Sequence, residues 1–144
     1  MAVFIGFTGE FAHALDAKGR LALPARYRSR FEQGVVITPG VEPCLYIYPM
    51  EAWEAKARQI EEKQLNAAQR RQVERVFFGS ATELELDAQG RITIPAKYRE
   101  RAALANDVLI VGARDRLELW NTASYREALA QIHPEDLTGL DLPF

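Results

Sequence analysis

The chain of 144 residues contains one cysteine, two histidines and no apolar run approaching the roughly 20 residues that span a bilayer. A single cysteine excludes an intrachain disulfide and a cysteine-based zinc site, which fits a reducing compartment. Cys44, in "VEPCLYIYP" at the mouth of an expected strand, reads as a small buried filler rather than a nucleophile. His13 and His133 lie far apart with no carboxylate–histidine pattern, so both read as solvated or packed imidazoles. There is no metal-ligand cluster, glycine-rich phosphate loop or spaced nucleophile–base pair in the sequence. The chain is therefore not expected to be an enzyme, to hold a cofactor or metal, or to take a small-molecule substrate. The opening "MAVFIGFTGEFAH" lacks the basic start and continuous apolar stretch of a secretory signal, so a cytoplasmic location away from membranes is expected.

Strong net charge is lacking too, since the formal balance is −2, which taken alone argues against a nucleic-acid partner. The average hides an asymmetry. Residues 16–30, "DAKGRLALPARYRSR", hold a local balance of +4, residues 87–101, "DAQGRITIPAKYRER", hold +2, and the other 114 residues hold −8. The basic part is one phrase written twice. "LDAKGRLALPARYR" starts at Leu15 and "LDAQGRITIPAKYR" at Leu86, 71 positions later, with nine identities in fourteen positions. The likeness continues beyond it, as "LYIYPMEAW" at 45–53 matches "LELWNTASY" at 117–125 in pattern with an offset of 72. With 48% hydrophobic and 26% charged residues, the chain reads as an ordinary globular protein built from one unit used twice.

Inside each phrase, Leu21 and Leu23, or Ile92 and Ile94, alternate with Arg20 and Ala22, or Arg91 and Thr93. That is the period of a strand with one buried face, and it points the arginine outward. Gly19 and Gly90 precede the strands where a tight turn calls for positive φ, and Asp16 and Asp87 stand at the turn entrance, where a short carboxylate accepts backbone N–H groups. Pro24 and Pro95 open short helices, "PARYRSR" and "PAKYRER". Further strands are expected at Val35–Thr38, Leu45–Tyr48, Leu84–Leu86, Val108–Val111 and Leu117–Trp120. The proline-free stretch from Glu51 to Gly79 predicts two helices, the second opened by an Asn66/Gln69 capping box and stopped at Gly79. Trp53, Trp120, Tyr125, Phe77 and Phe78 read as core or subunit-contact residues rather than base-stacking platforms. One small sheet cannot bury both its faces, so the two halves are expected to close around a shared core related by a pseudo-two-fold axis.

The paired Asp-x-x-Gly-Arg-x-x-x-Pro settings at Asp16–Arg20 and Asp87–Arg91, with "CLYIYPMEAW" and "FFGSATELELD", resemble the MraZ family, whose halves belong to the SpoVT-AbrB, or AbrB-like, superfamily. The resemblance covers nearly the whole chain. It implies an α+β fold, mainly β with helices, in which two tandem halves form a double-split, swapped-hairpin β-barrel. It divides the chain into half 1 at 7–54, a helical connector at 55–79, half 2 at 80–126 and a tail at 127–144. It further implies a nucleoid-associated, DNA-binding transcriptional repressor of the division and cell-wall gene cluster, binding short direct repeats as a ring-shaped homo-oligomer. Physics supplies a way to bind duplex DNA: Arg20 and Arg91 as base readers, and Lys18, Arg26, Arg28, Lys97 and Arg99 as phosphate contacts. Asp16, Gly19, Asp87 and Gly90 are the expected turn-shaping residues. The alternative is a non-enzymatic protein-binding or structural module of antitoxin-like character.

Overall fold

The computed structural model describes residues 4–143. Residues 1–3 of the opening and Phe144 of the tail lie outside the described residues. Among the described residues, eight strands run β1 (Glu10–Ala14), β2 (Arg20–Ala22), β3 (Val35–Pro39), β4 (Leu45–Pro49), β5 (Thr82–Leu84), β6 (Arg91–Thr93), β7 (Asp107–Gly112) and β8 (Leu117–Asn121). Five α-helices accompany them: α1 (Met50–Glu61), α2 (Ala67–Val73), α3 (Ala96–Arg101), α4 (Thr122–Ala130) and α5 (Pro134–Thr138). The phrase "PARYRSR" forms a 3-10 helix at Ala25–Phe31 where its copy forms α3, and α2 continues into a π-helical turn at Glu74–Phe78.

The fold is mixed α+β with antiparallel strands. A six-stranded sheet has the order β1-β7-β8-β4-β3-β5, and β2 pairs with β6 in a separate two-stranded ribbon. Exchanging each strand for its repeat partner (β1 with β5, β2 with β6, β3 with β7, β4 with β8) returns the same order read backwards. The halves are therefore interleaved. Strand β1 of the first half is bonded to β7 of the second, and β5 of the second is bonded to β3 of the first. The pseudo-two-fold axis runs through two self-matching pairs. Leu21 faces Ile92 in the ribbon, 71 residues on, and Tyr46 faces Glu118 in the sheet, 72 residues on.

The ribbon covers one face of the sheet. Leu21, Leu23, Ile92 and Ile94 pack with Val35, Ile37, Leu45, Ile47, Val108, Ile110, Leu117 and Leu119 into the main core, closed at its ends by Tyr27, Phe31, Tyr98 and Ala102. The opposite face carries two smaller clusters. Val36, Tyr48 and Trp53 meet Phe77 from the π-helical turn, and Cys44, Leu109, Val111 and Trp120 meet Tyr125 of α4. Trp53 and Trp120 are thus packed in these outer clusters, and the thiol of Cys44, pushed up to about 12 by burial, is an apolar filler.

The structure adds one strand to the expected set and shifts another. Strand β1 arises from "EFAHA", in which only Phe11 is a strong strand former, so tertiary pairing with β7 imposes the extended form. Strand β5 lies at Thr82–Leu84, two residues before its expected start. The capping box is formed in both directions, Asn66 accepting from the Gln69 N–H at 2.8 Å and Gln69 from the Asn66 N–H at 3.0 Å. Gly79 ends the helix at an ordinary helical φ of −68; what requires glycine there is close packing, because a Cβ would stand 2.3 Å from the Arg75 carbonyl oxygen. Helix α4 begins 72 residues after α1, which makes α1 part of the repeated unit.

Candidate nucleic-acid interface

Both Asp-x-x-Gly-Arg segments form the same closed turn. In the first, Asp16 Oδ1 accepts from the backbone N–H of Lys18 and of Arg20, each at 2.9 Å, while Oδ2 accepts from Arg20 Nε. In the second, Asp87 Oδ1 accepts from the N–H of Gln89 and of Arg91, each at 2.9 Å, and Oδ2 from Arg91 Nε at 2.8 Å. Gly19 and Gly90 take φ of +76 and +75, a region that side-chain-bearing residues rarely adopt. The Arg20 backbone N–H, assisted by the Arg20 guanidinium and the Lys18 N–H, holds the Asp16 carboxyl at about 2, and the Arg91 backbone N–H acts on Asp87 in the same direction.

The ribbon register then fixes where the arginines stand. Arg20 faces Thr93 and Arg91 faces Ala22, on either side of the Leu21–Ile92 pair. Because side chains alternate, Leu21 and Ile92 point into the core and Arg20, Ala22, Arg91 and Thr93 share the outer face. The arginine side chains are 32% and 28% exposed. Lys18, Arg26 and Lys97 are exposed nearby, with Arg26 over the Tyr27 ring at 5.1 Å and Lys97 over the Tyr98 ring at 5.0 Å.

Arg28 and Arg99 sit differently from the rest of the predicted set. Both are half-buried, and each folds back on its own strand, Arg28 Nε donating to Leu23 O at 2.9 Å and Arg99 Nε to Ile94 O at 3.1 Å. Each also lies against the glycine of the other turn. A Cβ on Gly90 would meet Arg28 Cδ at 2.5 Å, and one on Gly19 would meet Arg99 Cζ at 3.0 Å. Backbone bonds complete the interlock, from Leu23 N–H to Gly90 O at 3.1 Å and from Ile94 N–H to Gly19 O at 2.8 Å. Arg30 and Arg101, which add to the local charge, are engaged elsewhere, on Glu51 at 3.1 Å and on the Gly40 carbonyl at 3.2 Å.

One further pair and one single residue were not singled out by sequence reasoning. Tyr27 and Tyr98, buried under the phrases, donate their hydroxyls to Thr8 O at 3.0 Å and Ser80 O at 2.7 Å, tying the ribbon to the segments that lead into β1 and β5. Their identity in both copies was the available signal. Gln89 is the other: its Oε1 accepts from Arg91 Nη2 at 3.2 Å.

Fold and site together define a class: a duplicated α+β protein whose interleaved halves present a matched pair of aspartate-locked arginines on one basic ribbon. A family model described as "MraZ protein, putative antitoxin-like" matches residues 7–76 and again 77–141. The chain belongs to the MraZ family. Among its curated relatives, "Transcriptional regulator MraZ" of Heliobacterium modesticaldum is 42% identical over 132 residues, covering 90% of this chain and 92% of that one. The protein of the same name from Roseiflexus sp. strain RS-1 is 40% identical over 140 residues, 93% of this chain and 98% of its own. That from Lactiplantibacillus plantarum is 42% identical over 121 residues, 84% and 86% of the two chains. None of the described helices is long and apolar enough to cross a membrane.

Proposed function

We propose that this protein is a sequence-specific, DNA-binding transcriptional regulator that inserts the β2–β6 ribbon into the major groove. One observation carries the reading: two arginines, each fixed by an aspartate, stand on the exposed face of a two-stranded ribbon. Diagonal neighbours on such a ribbon lie about 7–8 Å apart. That is about two base-pair steps at roughly 3.4 Å each. The major groove admits a two-stranded ribbon, and an arginine fork makes a two-pronged contact with guanine O6 and N7. Aspartate bonding takes up Nε and directs the Nη end of each fork outward. Arg20 and Arg91 read bases; Lys18, Arg26 and Lys97 neutralise phosphates; Arg28 and Arg99 brace the turns through Nε and keep their Nη groups for phosphate. Asp16, Gly19, Asp87 and Gly90 shape the turns.

In this reading the interleaved halves, 7–54 and 80–126 around the connector 55–79, form a swapped-hairpin AbrB-like barrel, with 127–144 as a tail. The relatives' name supports transcriptional regulation, and the resemblance alone supports repression of the promoter of the division and cell-wall gene cluster by a cytoplasmic, nucleoid-associated protein. A single chain offers few phosphate contacts, so several chains bind together, as a ring on short direct repeats. The test is selection of bound sequences from random duplexes, with affinity then measured against salt. A recurring short word and a steep fall of affinity with salt are expected; no enriched word would overturn the reading.

A second reading, a protein-binding module, is favoured by an apolar groove of about 840 Å³ on the outer sheet face, lined by Thr38, Pro39, Tyr46, Tyr48, Val73 and Phe77. Val41 and Val76 at its rim are 90% and 73% exposed. DNA affinity indifferent to salt would favour this alternative.

A further inference from the structure

The ribbon is symmetric as a scaffold and asymmetric in what it displays. Exchange of the halves superposes Arg20 on Arg91, but it sets Lys18 on Gln89 and Ala22 on Thr93. The register assigns these differences to two distinct ends. At one end Arg20 has Lys18 beside it in the turn and Thr93 facing it across the ribbon. At the other, Arg91 has Gln89 beside it in the turn and Ala22 facing it. The arginines also differ in what they have free. Among the described residues the Arg20 guanidinium is bonded through Nε alone, which leaves both Nη groups open, whereas Arg91 also gives Nη2 to Gln89 at 3.2 Å.

We propose that Gln89 and Ala22, set against Lys18 and Thr93, give the ribbon a polarity on duplex DNA, so that its two ends read different base pairs. The proposal rests on the DNA-binding reading and deepens it. The Lys18–Arg20–Thr93 end offers an unencumbered guanidinium fork, a second cation, and a hydroxyl and methyl that suit a purine acceptor and a thymine methyl. The Gln89–Arg91–Ala22 end offers a fork with one prong tied to an amide, whose free Nε2 donates to a base-edge acceptor, and only one methyl. A protein with two identical ends would bind a word and its reverse complement alike. This chain distinguishes them and sits on its site in one orientation.

The experiment makes the base-facing groups of the two ends identical. In Gln89→Lys/Ala22→Thr both ends become Lys-Arg-Thr, each new residue being the one already present at its symmetry-related position. Lys18→Gln/Thr93→Ala makes both ends Gln-Arg-Ala and serves as an independent second variant should the first fail to fold. Wild type and both variants, with melting checked, select from random duplexes. The expected wild-type word is non-palindromic, with a base pair preferred about tenfold at one end and not at the symmetry-related position. The expected variant words read the same on both strands. A palindromic wild-type word, or folded variants that keep the wild-type word unchanged, would overturn the polarity while leaving DNA binding intact. A wild type that enriches no word overturns the DNA-binding reading and this inference with it.

Discussion

Asp16 keeps its charge far below the pH at which a carboxylate ordinarily protonates. Its folded value of about 2 stands against 3.8 for the free side chain, so the carboxylate's contribution to stability is complete above about pH 4 and is lost as pH falls through 2. A carbon-detected titration should find Asp16 titrating near 2; a value near 3.8 would mean that the turn is not closed in solution. The two glycines give a second prediction. Alanine in the left-handed region costs about 1–2 kcal/mol. Gly90→Ala should lower the melting temperature more than Gly19→Ala, because its Cβ meets Arg28 Cδ and Nε at 2.5 Å and must displace a side chain bonded to Leu23 O, where the other meets Arg99 at 3.0 Å. Removing Arg28 as well should recover part of the difference. Arg20→Ala should cost no more than about 1 kcal/mol of stability, the worth of a partly exposed ion pair, and lower binding by about 1–3 kcal/mol per site. An unchanged preference for the selected word would sink the role given to Arg20. The turn residues were legible because glycine takes the positive φ such a turn needs and a short carboxylate accepts its backbone N–H groups. The bracing by Arg28 and Arg99 was not, since it depends on the other copy of the motif lying alongside.

Among the elements, the ribbon separates folding from recognition most cleanly. Ile94, fully buried two residues from the ribbon axis, should cost on the order of 2–5 kcal/mol when replaced by alanine. DNA binding by Ile94→Ala should then track the folded fraction, a comparison made by melting and binding the same preparations. Tyr98→Phe removes a hydroxyl bonded to Thr82 Oγ1 and Ser80 O, both at 2.7 Å. A loss of about 0.5–1.5 kcal/mol is expected, with faster amide exchange concentrated at β5. Unchanged β5 exchange would show that the tyrosine does not tie that strand. Short runs rich in valine, isoleucine, leucine and aromatic residues made β3, β4, β7 and β8 visible in the sequence, because these strands are packed on both faces, by the main core on one side and the outer clusters on the other. Strand β1 was invisible: Glu10, Ala12 and Ala14 are exposed, and its hydrogen bonds go to residues some 95 positions away.

For the molecule as a whole, interleaving means that neither half owns a complete sheet. Fragments cut between residues 76 and 77 should be unfolded separately and should regain sheet signal when mixed, since β1 needs β7 and β5 needs β3. Circular dichroism and sedimentation check this, and a fragment that folds as a monomer would contradict the interleaving. Pairing of residues 10–14 with 107–111 also makes folding depend on late-synthesised sequence, which slows it. The duplication was plain in the sequence; the interleaving was not, because a repeat offset does not say which copy's strands pair. The axis pair in the sheet has a meaning for ancestry. Two separate copies of a single half would set every axial residue against itself, tyrosine on tyrosine or glutamate on glutamate, and the latter repels. Here Tyr46 faces Glu118, and Arg116 stacks on the first ring at 4.4 Å while pairing with the second carboxylate at 2.7 Å. The counterpart of Arg116, 72 positions earlier, is the buried Cys44. Covalent fusion of the copies is what lets one locus mutate without its mirror, and this trio is chemistry that an unfused symmetric pair could not encode.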